Sequence, residues 1–266
     1  MRHNADQLRL SLAAAARNNP ILAPAFRGIR ARMLVGKGGT VEGRLLSQLV
    51  QPGTVAIDVG ANLGQYSAVM ARSLRGSGFV LAFEPNPIAY EELVRGARNK
   101  AIVPLQYALS SQPGTSTLSV PTTEDGELQI QLGSLGHREG EGGHREFEVS
   151  VQTLDSFEPM LQLPVSVLKI DVEGFELEVL KGAQRILEQH RPPVVLEIEH
   201  RHQPESQSAQ DVAQWLLGHD YTVQGLTTAG LLDWQAALER QAAYVHGAAT
   251  PGEDYVNNFL CRPVRS

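Results

Sequence analysis

Two short apolar runs, each interrupted by an acid and followed by a glycine-bearing turn, constrain this chain more than anything else in it. They are Val55-Ala-Ile-Asp-Val-Gly-Ala-Asn-Leu-Gly64 and Val167-Leu-Lys-Ile-Asp-Val-Glu-Gly174. The first is a β-branched run that ends in an acid and two glycines before a helix-like segment, the pattern of strand, tight turn and helix N-terminus. In open α/β sheets the ligand lies in the crevice outside the carboxyl ends of the strands. If the two runs are neighbouring strands, both acidic turns face one crevice, with a cofactor on one and a reaction site on the other.

The rest of the chain supports that class of fold. An amphipathic helix over 42–50 and a Pro52-Gly53 turn precede strands near 54–59, 79–84, 102–108, 166–171, 193–198, 221–225 and 256–262. Helical stretches near 64–74, 87–99, 174–189 and 207–218 alternate with them, which predicts a doubly wound, mostly parallel α/β sheet covered on both faces, a three-layer αβα sandwich. Residues 114–152 break this rhythm. Thr115–Val120 and Phe147–Val151 alternate polar and apolar residues like an antiparallel pair, and the Gly- and Glu-rich stretch from Pro121 to Glu146 reads as a lid. Residues 1–41 read as a helical N-terminal extension broken at Pro20 and Pro24, and 42–266 as one catalytic domain.

Composition narrows the partners. With 29 acids against 23 bases and a net charge of −6, there is no basic excess to neutralise a phosphate backbone, so nucleic acid is not an expected partner. Cys261 is the only cysteine, which excludes an internal disulfide and a multi-cysteine metal cage. Neither a secretory signal nor a run of membrane-spanning length is evident, and the expected location is the cytoplasm.

The glycine turn discriminates among nucleotide ligands. A dinucleotide fingerprint needs a second glycine where Asn62 stands, and a triphosphate loop needs a lysine and a spacing that are missing. A ligand with an amino acid end and a nucleoside end but no phosphate remains. Glu84, at the end of Phe79–Glu84 and about twenty residues past the turn, stands where a carboxylate accepts both hydroxyls of a ribose. S-adenosylmethionine meets this description: its cationic groups suit acids and open backbone amides at the turn, and its adenine would lie near Tyr107-Ala108. The cofactor-binding set is therefore Asp58, Gly60, Asn62, Gly64, Tyr66, Glu84, Pro85, Asn86, Tyr107, Ala108 and Asp171.

Asp58–Gly64, Phe83-Glu-Pro-Asn86, Ala108-Leu-Ser110 with Gly114, Thr153-Leu-Asp155, Lys169–Gly174 and Leu180-Lys-Gly182, in this order, resemble the FkbM-type methyltransferase family over roughly residues 42–200. The resemblance implies the seven-stranded class I (Rossmann-like) methyltransferase sheet, whose last strand is antiparallel, here Tyr255–Cys261. It also implies O-methylation of hydroxyls on sugars, polyketides and related metabolites, so the partner is a small-molecule or glycan acceptor.

An aliphatic hydroxyl is a weak acid, so a base or a metal must act as it attacks. Asp171 and Glu173, two residues apart, would share a face in a continuing strand. Glu197 ends the next strand, followed by Glu199 and His200. The catalytic candidates are Asp171, Glu173, Glu197 and His200, the last for its near-neutral pKa. Crowded carboxylates suit either a base poised near neutrality or a divalent ion such as magnesium on Asp171 and Glu197. A helix cap on Asp171 or Glu173, with Lys169 as an ordinary ion-pair partner, is the structural alternative. His137, His144 and Ser134 fall in the lid. The rival functions are a non-catalytic S-adenosylmethionine or nucleoside binder, a methyltransferase of macromolecules, and a dehydrogenase.

Overall fold

The computed structural model describes residues 40–98, 100–123, 128–129, 133–135, 143–199, 208–244 and 255–264. Nearly all of the expected 1–41 extension, most of the lid with His137, and His200 lie outside the described residues.

Helix α1 (Val41–Leu49) opens the domain, and the Thr40 hydroxyl caps it by accepting from the Gly43 N–H at 3.1 Å. Strand β1 (Thr54–Val59) follows, then α2 (Gln65–Ser73), β2 (Gly78–Phe83), α3 (Pro87–Ala97) and β3 (Ile102–Leu105). Asn86 caps α3, accepting from Ile88 N–H at 3.0 Å, and Pro87 occupies the first turn where a missing N–H costs nothing. The main sheet continues with β8 (Val165–Ile170), β9 (Val194–Glu197), β10 (Tyr221–Thr227), β11 (Gly230–Asp233) and β12 (Asn258–Pro263). Between them lie α4 (Glu176–Lys181), α5 (Gln184–His190), α6 (Ala209–Gly218) and α7 (Trp234–Tyr244).

The sheet order is β11-β10-β12-β9-β8-β1-β2-β3. Strands β3, β2, β1, β8 and β9 run parallel, and β12 is antiparallel to both β9 and β10. Two strand details differ from the sequence reading. A hairpin strand, β11, extends the sheet to eight. The third strand stops at Leu105, because Ala108–Leu109 (β4) leaves the main sheet to pair with another. That second sheet has the order β4-β7-β5-β6, with β5 (Gly114–Pro121) and β7 (His144–Gln152) antiparallel and β6 (Ser134–Leu135) on the edge.

β1 and β8 are buried at every position, as central strands covered on both faces must be. Their alternation divides the core. Val55, Ile57, Val59, Leu168 and Ile170 join the layer that contains Leu177, Ile186, Val212 and Leu216 from α4, α5 and α6. Ala56 and Val167 join Leu46, Met70 and Leu93 from α1, α2 and α3, with Leu74 just past the end of α2. The expected helix over 174–189 is two short helices, broken around Gly182. A Cβ there would meet the Ser110 carbonyl at 2.1 Å, so the chain passes too close to Ser110 for any other residue. The motif Thr153-Leu-Asp155 docks on this break: the Asp155 carboxylate accepts from the Arg185 and Ile186 N–H groups at 3.0 and 3.1 Å, capping α5.

Candidate active site

The two acid-bearing turns meet. β1 and β8 are paired with Asp58 beside Lys169, and the Asp171 N–H donates to the Val59 carbonyl at 3.0 Å. The contact depends on Gly60, whose φ of +75° is left-handed and whose Cβ, if present, would stand 1.8 Å from the Asp171 carbonyl oxygen. Only a glycine lets the first turn lie against the second.

Three amides at the start of the first turn are already engaged within the protein, where the sequence reading expected open ones. Gly60 and Ala61 N–H both donate to the Phe83 carbonyl, at 3.0 and 2.9 Å, and Asn62 N–H donates to Glu84 Oε2 at 2.7 Å. The turn folds back on the end of β2, which only the β1–β2 pairing brings within reach. Asn62 takes a left-handed φ of +49°, a conformation that asparagine tolerates.

A cavity of about 300 Å³ opens at the carboxyl ends of these strands. Among the sequence candidates it is lined by Gly60, Asn62, Tyr66, Glu84, Pro85, Asn86, Tyr107, Ala108, Asp171, Glu173 and Glu197. Asp58 and Gly64 do not line it. Asp58 is wholly buried beneath it, and Gly64 begins α2 facing Leu93. Leu118 of β5 also lines the wall, with Gly133 and Leu135 from the stretch that the sequence analysis reads as a lid.

At one end of the cavity Glu84 is 7 % exposed and accepts from Asn62 N–H and, at 2.8 Å, from Asn86 N–H. Burial pushes its carboxyl up to about 7, against the two amide hydrogen bonds that favour the charge. Asn62 Oδ1 is buried without a hydrogen-bond partner among the described residues.

At the other end the expected strand geometry fails. β8 stops at Ile170, and Glu173 and Gly174 have φ of +53° and +99°, so Asp171–Gly174 is a turn and the two acids do not share a strand face. Neither caps the following helix, which starts at Glu176 behind Phe175. Both still line the cavity with Glu197 at the end of β9. Burial and then the Asp171 carboxylate push Glu197 up to about 8, with Lys169 acting in the opposite sense.

Lys169 is the residue whose weight the sequence reading underestimated. It is 5 % exposed, with Nζ 3.1 Å from Asp171 Oδ2, 3.8 Å from Asp58 Oδ1 and 4.9 Å above the Tyr66 ring. Burial opposes its charge, but Asp171 and Asp58 outweigh burial and hold the ammonium above its ordinary value. Burial likewise raises Asp58, partly offset by Lys169 and by the Ser67 hydroxyl, which donates at 2.5 Å. The parity of Lys169 and Asp171, two apart on a strand end, was the available signal. As a divalent-ion site the donors Asp171 and Glu197 fit poorly, since the Lys169 ammonium supplies the cation beside Asp171. Among the described residues no group of three or more His, Cys, Asp or Glu side chains could hold a metal.

The chain is similar to several known proteins. Hexuronic acid methyltransferase AglP of Haloferax volcanii is 29 % identical over 151 residues, covering 54 % of this chain and 56 % of that protein. Methyltransferase sdnD of Sordaria araneosa is 34 % identical over 154 residues, covering 47 % of this chain and 59 % of that protein. The chain thus spans less than two thirds of the length of these curated relatives. The crystal structure of methyltransferase FkbM from Methylobacillus flagellatus KT superposes with a TM-score of 0.49 at 17 % identity, over 79 % of this chain and 44 % of that one. Residues 58–223, more than half of the chain and inclusive of both acidic turns, match the methyltransferase FkbM domain, and the chain belongs to that family.

Proposed function

We propose that this chain is an S-adenosylmethionine-dependent O-methyltransferase acting on a hydroxyl of a sugar or another small metabolite. The observation that carries the reading is one cavity with Glu84 at one end and Asp171, Glu173 and Glu197 at the other. Glu84 follows β2 and Glu197 ends β9, three strand steps apart in the order β2-β1-β8-β9. At about 4.8 Å per step that is roughly 14 Å, a span suited to a ligand with a nucleoside at one end and its reactive group at the other. Family membership and relatives named as methyltransferases support methyl transfer, and the relative named for hexuronic acid supports a sugar acceptor.

When bound, S-adenosylmethionine supplies an electrophilic methyl group on a sulfonium. The protein's part is to bind and align. Glu84, fixed by two backbone N–H donors, has further lone pairs for ribose hydroxyls. Asn62 Oδ1, buried at the cavity wall, is an acceptor for a donor group of the ligand. Leu118 and Leu135 exclude water from one side. Alignment of this kind is worth about 7–11 kcal/mol in well-oriented systems, against about 10²–10⁴-fold for a general base. The carboxylates at the Glu197 end are placed to take the hydroxyl proton. Calorimetric titration tests the donor: tighter binding of S-adenosylmethionine than of a nicotinamide dinucleotide is expected, and the reverse order overturns the reading. Incubation of glycan and metabolite extracts with radiolabelled donor should then give an alkali-stable labelled ether.

A further inference from the structure

The segment entering the last strand touches the acidic end of the cavity from outside it. Asn257 Nδ2 donates to Glu197 Oε1 at 2.9 Å and to Glu199 Oε1 at 3.0 Å, so one side-chain amide bridges two carboxylates of β9 and its extension. The Asn257 amide is itself oriented, since Asn258 Nδ2 donates to Asn257 Oδ1 at 3.0 Å. Its backbone is pinned by the Ile198 N–H, which donates to the Asn257 carbonyl at 2.7 Å. On the far side, the Tyr255 hydroxyl donates to Glu199 Oε2. Glu199 is 8 % exposed, and Glu197 lines the cavity.

This arrangement uses up one oxygen of Glu197. Among the described residues Oε2 carries no hydrogen bond, so the amide that holds Oε1 also sets where Oε2 points. We propose that Asn257 is a positioning residue for methyl transfer: by bridging Glu197 and Glu199 it holds Glu197 Oε2 as the acceptor of the substrate hydroxyl's proton. The inference rests on the methyltransferase reading above and deepens it. In the step, the hydroxyl oxygen forms the new bond to the methyl carbon and the carbon–sulfur bond breaks with its electron pair left on sulfur. The hydroxyl proton passes to Glu197 Oε2 and then to water. The charged groups acting on Glu197 are Asp171 and Glu173 from the turn after β8, Lys169 from β8, and Glu199 from its own segment. The Tyr255 hydroxyl joins the cluster through Glu199. A bridge of N–H donors lets two carboxylates lie close without turning away from each other, which their mutual repulsion would otherwise favour.

The test compares Asn257→Asp and Asn257→Ser with the unaltered chain, measuring donor affinity by calorimetry and methyl transfer across pH. Asn257→Asp keeps the acceptor that Asn258 uses and replaces the bridge with a third carboxylate. It should lower kcat about 10²-fold, at the low end of what a misplaced base loses, while leaving donor Kd within about twofold. Its acid limb should also move to higher pH. Asn257→Ser retains a shorter donor and should recover part of the loss. Turnover and pH profile unchanged in Asn257→Asp would overturn the proposal. So would loss of donor binding in step with turnover in both variants, which assigns Asn257 to folding alone. If the unaltered chain neither binds nor transfers from S-adenosylmethionine, the parent reading has failed instead, and the two failures are told apart within one experiment.

Discussion

Replacing Lys169 with methionine removes a charge while keeping nearly the same length of buried chain, which isolates the electrostatic role of this residue. The two attractions lost are those to Asp171 at 3.1 Å and to Asp58 at 3.8 Å. At an effective dielectric of about 20, Coulomb's law makes them about 5 and about 4 kcal/mol. Asp58 has already been desolvated completely. The net cost is therefore that of orphaning a buried charge, about 3–5 kcal/mol. Asp58 is the partner that suffers, since water can still reach Asp171, whose side chain is 28 % exposed.

The cost should depend on pH in a definite direction. Burial already raises Asp58, and removal of Lys169 raises it further, so below that folded pKa the carboxyl is neutral and has no need of an ammonium. Urea unfolding should therefore show Lys169→Met about 3 kcal/mol less stable than the parent at pH 8, with the gap narrowing as the pH falls. Adding Asp58→Asn to Lys169→Met should restore much of the loss, giving strong non-additivity in the double-mutant cycle. A cost under about 1 kcal/mol at pH 8, or simple additivity with Asp58→Asn, would refute the claim that Lys169 compensates Asp58.

Gly60→Ala places a methyl 1.8 Å from the Asp171 carbonyl at a left-handed φ, so the two turns must separate; calorimetry should register at least a tenfold loss of donor affinity. Asp155→Ala removes a cap on two N–H groups of α5 and should cost about 1–2 kcal/mol in thermal or urea melts, with donor Kd unchanged. Glu84 and Glu197 have folded pKa values of about 7 and about 8 against ordinary values of 4.5. Between the ordinary and folded values the native state binds more protons, so the ligand-free protein should lose stability as pH rises from about 4.5 to 8, on the order of a few kcal/mol. Glu197→Gln should flatten the upper part of that curve, and an unaltered slope in urea midpoints would remove Glu197 from the account.

Much of the fold was legible locally because parallel strands and their helices leave periodic marks. The expected runs at 54–59 and 221–225 fall within β1 and β10, and Thr115–Val120 and Phe147–Val151 lie inside β5 and β7. Where the reading slipped, a distant contact had overridden a local pattern. Residues 102–108 look like one strand, yet Ala108 is drawn away by Val151. Residues 174–189 look like one helix, yet the chain breaks around Gly182, where it passes close to Ser110. Asp171 and Glu173 look like strand partners, yet the chain turns immediately after Ile170.

Residue type and spacing alone established that this chain carries two acid-ended turns at the carboxyl ends of buried strands, with Glu84 a strand away, because strand burial and turn chemistry are written in consecutive residues. Only the tertiary structure decided what those turns do to each other. It placed β8 beside β1, spent the Gly60, Ala61 and Asn62 amides on β2, set Lys169 between Asp58 and Asp171, and brought Asn257 onto Glu197 by inserting the last strand antiparallel beside β9. Each of these rests on which strands are neighbours, a property fixed by packing the whole sheet at once and encoded in no local period of the chain.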